Sequence, residues 1–75
     1  MDLSGLKPFF GQQIVVATTI SKEFVGTLEP IPNSQDAVSL VPLDAAIASN
    51  YQFAINGVAS LSIGVVAFVQ KLPAG

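Results

Sequence analysis

The chain has 75 residues, 51% of them hydrophobic and 11% charged, with three lysines, no arginine, histidine or cysteine, and a net charge of −2. Disulfides and a Cys/His zinc site are excluded, and the basic stripe expected of a protein that grips a phosphate backbone is missing. The length suits one domain, residues 1–75, and its apolar content exceeds what so small a body hides alone, so self-association is expected.

Ser4 is placed to cap a short N-terminal helical turn that directs Leu3, Leu6 and Phe10 inward, and Pro8 limits its length. The first ten residues lack the basic start and continuous apolar middle of a signal peptide, so a cytoplasmic setting is expected. Gln12 to Ile20 alternates as a strand, with Ile14, Val16 and Ile20 on one face, and Ser21-Lys22 forms a hairpin tip. Glu23 to Leu28 follows as a strand with Phe24, Gly26 and Leu28 on its core face. A glycine at a core position of a strand marks a sharp bend or a close backbone approach, so a strongly curved sheet is expected.

Pro30, Pro32, Asn33, Ser34 and Gln35 make a loop, and strand character resumes over Ala37 to Leu43. Asp44 to Asn50 is alanine-rich and fits either a helical turn or a loop. Tyr51, Phe53 and Ile55 alternate with Gln52 and Ala54 as a strand, and Asn56-Gly57 then gives the strongest short hairpin signal in the chain. Val58 to Val69 is the last strand, kinked or divided at Gly64. The uncharged run from Phe53 to Val69 is nearly long enough to span a bilayer. Its Asn-Gly pair, its serines, Gly64 and its alternation argue for strands, so no membrane is expected as a partner.

This order of elements resembles the Sm-like family over most of the chain. Leu3, Leu6 and Gly11-Gln12-Gln13-Ile14-Val15-Val16 look like that family's helix and first strand, and Phe24-Val25-Gly26-Thr27-Leu28 looks like the heart of its first signature. Ile55-Asn56-Gly57 resembles the apolar-Arg-Gly start of its second signature, and Ile63-Gly64-Val65-Val66-Ala67-Phe68-Val69 offers a second register for that segment. The resemblance implies a mainly all-β chain: a strongly bent five-stranded antiparallel Sm-like (SH3-like) barrel with a short N-terminal helix. It further implies pairing of edge strands into a homo-oligomeric ring of more than four subunits, with single-stranded, uridine-rich RNA held near a central pore.

Transferred to this chain, the RNA-contact set is Asn33, Gln35 and Asp36 in the first loop and Asn56 and Gly57 in the late turn, with Gly26 as the structural bend. Asn56 stands where the family has an arginine, and Asp36 repeated around a ring makes a negative collar that repels phosphate. Asn and Asp also favour turns for local reasons, and Tyr51 and Phe53 fit a core or subunit contact as well as base stacking. A ring without RNA, acting as a structural or protein-interaction module, is therefore the alternative, and a small membrane protein built on the Phe53 to Val69 run is the third reading. Glu23 and Glu29 share a strand face without a histidine, nucleophile or phosphate loop beside them, so neither an enzyme nor a cofactor is expected.

Overall fold

The computed structural model describes residues 2–73, and its architecture is mainly β. Six strands form one sheet: β1 (Gln13–Thr18), β2 (Glu23–Pro30), β3 (Ala37–Val41), β4 (Ile55–Asn56), β5 (Val58–Ser62) and β6 (Val66–Lys71). Five of them lie in the order β5-β3-β2-β1-β6, all antiparallel, while β4 sits off this path and pairs with β2 in parallel. Two one-turn helices complete the set, α1 (Leu3–Leu6) and α2 (Ala45–Ala48), with short 3-10 turns at Lys7–Phe9, Ser49–Tyr51 and Ile63–Val65.

β2 organises the sheet. Along one edge it pairs with β1 from Glu23 to Thr27, and on the other its C-terminal half, Thr27 to Pro30, pairs with β3. A Cβ added at Gly26 would stand 2.7 Å from the Val41 carbonyl oxygen and 3.0 Å from the Leu40 Cβ, so β3 lies against β2 there with no room for a side chain. Pro42 cannot donate to a ladder, and β3 ends just before it. The edge of β2 that β3 abandons is taken up by β4, opposite Phe24 and Val25. β2 therefore buries Phe24, Gly26 and Leu28 inward and, where β4 covers it, Val25 outward, while Thr27 and Glu29 on that outer face stay half-buried.

One core cluster joins Ile14 and Val16 of β1, Phe24 and Leu28 of β2, Val38 and Leu40 of β3, Leu61 of β5 and Val66 of β6, together with Leu6 and Ile63. Contributions from every strand of the main path to a single cluster require the sheet to curl. The expected barrel is nevertheless not closed. β5 and β6 occupy opposite ends of the path, each committed to its own partner, and one 3-10 turn carries the chain between them.

Other local expectations change as well. The N-cap of α1 is Asp2, whose Oδ1 accepts from the Gly5 N–H at 3.0 Å, rather than Ser4. β1 stops at Thr18, whose hydroxyl donates to the Lys22 carbonyl and accepts from the Lys22 N–H, so Ile20 falls in the turn and is exposed. Tyr51 to Ala54 is not a strand, and only Ile55 of the expected run joins one, as the first residue of β4. Backbone angles stay helical from α2 through Gln52, and the Ala54 N–H donates to the Tyr51 carbonyl, so local bonds satisfy the backbone before any sheet can. No helix among the described residues is long and apolar enough to cross a membrane; Phe53 to Val69 folds as strands and turns.

Gly26→Val should destabilise the chain by about 1–3 kcal/mol, because the new methyls meet backbone rather than a movable side chain. Thermal unfolding followed by circular dichroism checks this; an unchanged midpoint would mean that β2 and β3 separate there at no cost.

Candidate functional site

The five candidate RNA contacts do not form one site. Asn33, Gln35 and Asp36 lie in the loop between β2 and β3, where the Ser34 N–H donates to the Ile31 carbonyl at 3.1 Å and Asn33 takes a left-handed φ of 64°. Asparagine tolerates that conformation better than most residues, which is why the turn closes there. The Asp36 N–H reaches the Ser34 hydroxyl at 3.4 Å, while the Asp36 carbonyl accepts from the Ile63 N–H at 2.8 Å. That last bond stitches the loop to the turn between β5 and β6. A hollow of about 420 Å³ opens at the junction, lined among others by Asp2, Gln35, Asp36, Ser62 and Gly64.

Gly64, the second register for the late turn, is thus the glycine beside the loop. Asn56 and Gly57 line a different hollow, with Ser39, Val41, Pro42 and Val58. They make no hairpin, because β4 pairs with β2 and β5 with β3. Asn56 is a clasp instead: its Oδ1 accepts from the Leu43 N–H at 2.7 Å and its Nδ2 donates to the Leu43 carbonyl at 3.1 Å. Gly57 has φ +85°, its N–H donates to the Val25 carbonyl at 2.7 Å, and a Cβ there would meet the Pro42 ring at 2.5 Å. Together they tie the two ends of the excursion 42–57 to each other and to β2.

The electrostatics of the loop hollow are one-sided. Asp2 and Asp36 line it and no lysine does, and the residue before Gly64 is Ile63, 5% exposed and part of the core. Charge there disfavours phosphate, whereas the amides of Asn33 and Gln35 remain able to meet base edges.

A second feature lies on the outer face. β6 pairs with β1 as Ala17↔Phe68 and then Thr18↔Val66, so a bulge at Ala67 reverses the alternation: Val66 points into the core and Phe68 outward. Phe68 is 57% exposed. With Val15 and Ala17 of β1 and with Tyr51 and Phe53 it bounds a groove of about 300 Å³ on the outer face. Phe53 is 64% exposed and meets the Tyr51 ring edge-on, with centroids 6.1 Å apart. Strict period-two reading places Phe68 inside with Val66, and nothing in the sequence announces the bulge.

Compared with protein-family models, curated proteins and solved structures, the chain has no match in any of the three. No group of three or more potential metal ligands occurs among the described residues.

Asn56→Ala removes both bonds to Leu43 and should cost about 1–3 kcal/mol, since a backbone donor and acceptor lose their partner. Gln35→Ala, in the exposed loop, should change stability by less than about 0.5 kcal/mol. Urea unfolding of the two variants measures the contrast, and equal midpoints would refute the clasp.

Proposed function

We propose that the chain is an Sm-like module that assembles into a ring of more than four copies, β5 of one pairing with β6 of the next, and that the ring's loop face holds single-stranded RNA. The observation that supports this most is the state of the two sheet ends. Among the described residues, β5 and β6 each have one strand neighbour, and the only charge on either is Lys71, at the far end of β6. Natural edge strands that must stay single are usually guarded by lysine, proline or inward-pointing charge. Unguarded backbone donors and acceptors on both ends of one sheet suit head-to-tail addition of further copies, which closes if the rotation permits. The exposed Phe68 beside one of these edges adds apolar surface that association would cover.

In this reading RNA is held through base edges by Gln35, which shares a hollow with Gly64, and by Asn33 in the same loop, and not by phosphate neutralisation. Binding is then modest, with a shallow dependence on salt. Asp2 and Asp36 in the same hollow favour a second reading, in which the ring carries no RNA and serves as a structural or protein-interaction module.

Light scattering at micromolar concentration in physiological salt should report a mass above four chains. Ser60→Lys, which places a charge on the exposed part of β5, should reduce it to small species with the fold retained by circular dichroism. A monomeric parent chain would refute the ring. For the assembled protein, titration with a short uridine-rich single strand at low salt separates the two readings. Binding that strengthens in Asp36→Asn supports the RNA reading, and no binding leaves the interaction module.

A further inference from the structure

The Asn56–Gly57 pair carries a chemistry that neither the ring nor the loop face uses. An asparagine followed by glycine is the most open to attack by the next backbone nitrogen, because no Cβ on that residue obstructs the approach. The reaction needs only water. The Gly57 nitrogen bonds to Asn56 Cγ and gives up its proton, the side-chain nitrogen leaves as ammonia, and one water opens the resulting succinimide to aspartate or isoaspartate.

In the folded chain every participant is engaged. The attacking N–H donates to the Val25 carbonyl at 2.7 Å, the departing Nδ2 donates to the Leu43 carbonyl at 3.1 Å, and Oδ1 accepts from the Leu43 N–H at 2.7 Å. Gly57 is also wedged against the Pro42 ring, which resists the rotation that ring closure requires. We propose that Asn56–Gly57 is a latent deamidation site, guarded by the Leu43 clasp and the Val25 bond, and that its conversion unlatches β4 from β2.

The second half follows from the product. Aspartate presents an oxygen where Nδ2 had donated, so two acceptors face each other across the Leu43 carbonyl. Isoaspartate adds a methylene to the backbone of a two-residue strand and shifts its register. Either change frees the edge of β2 at Phe24 and Val25, which β4 otherwise covers. The excursion 42–57 thus becomes a strap with a one-way catch.

The test uses the full chain at mildly alkaline pH, in buffer and in concentrated urea, with peptide mass mapping of Asn33, Asn50 and Asn56. In urea Asn56 should convert fastest of the three, since Ser34 and Tyr51 follow the other two. In buffer its rate should fall about tenfold or more, because attack then waits on local opening, while the exposed-loop Asn33 slows far less. Equal Asn56 rates in the two conditions would overturn the guard. Asn56→Asp should lower Tm and speed hydrogen exchange at the Gly57 amide. An unchanged Tm with unchanged exchange overturns the latch.

Discussion

The approach of β3 to β2 at Gly26 is the constraint on which the rest of the fold depends. With the Val41 carbonyl 2.7 Å from where a Cβ would stand, the two backbones meet at a distance that only glycine accommodates. Leu28 and Leu40 are then register partners, and both are fully buried in the one core. Because β3 ends at Val41, just before Pro42, the remaining edge of β2 would be bare beside Phe24 and Val25. The strap closed by Asn56 covers it, and Val25 and Leu43 form buried positions outside the main cluster.

Two bulges decide what faces outward. In β5 the register moves from Val38↔Leu61 to Leu40↔Val58, which keeps both Leu61 and Val58 against the core and leaves Ala59 and Ser60 exposed. In β6 the skipped Ala67 turns Phe68 to the surface. One sheet end therefore exposes small side chains and the other an aromatic ring, with no charge between Asp44 and Lys71 to keep them apart. Association through these ends, as proposed, would satisfy backbone groups and cover apolar area in a single step.

Where the sequence was informative, a local rule governed the outcome. Alternation placed β1 and β2, Gly26 marked the close approach of β3, the prolines with Asn33 marked the loop, and Gly64 marked the division of the last strand. Errors fell where tertiary context overrode a local signal. Asn56-Gly57 has the composition of a hairpin turn, yet the flanking strands pair elsewhere and the side chain is used on Leu43. Tyr51 and Phe53 alternate as in a strand, but helical geometry continues through Gln52. Phe68 was unreadable because a bulge leaves no mark in the order of side chains. The candidate site was half legible for the same reason: the loop was placed, but its neighbour is the turn at Gly64, brought there by the Ile63–Asp36 bond.

Hydrogen exchange measured at two protein concentrations tests the central claim most directly, because it reads the backbone groups on which the proposed assembly depends. The outward amides of β5 and β6 should be protected at the higher concentration and exchange quickly on dilution, while those of β2, paired on both edges, stay protected throughout. Protection of β5 and β6 that does not change with concentration, in a protein of single-chain mass, would contradict pairing of these edges between copies.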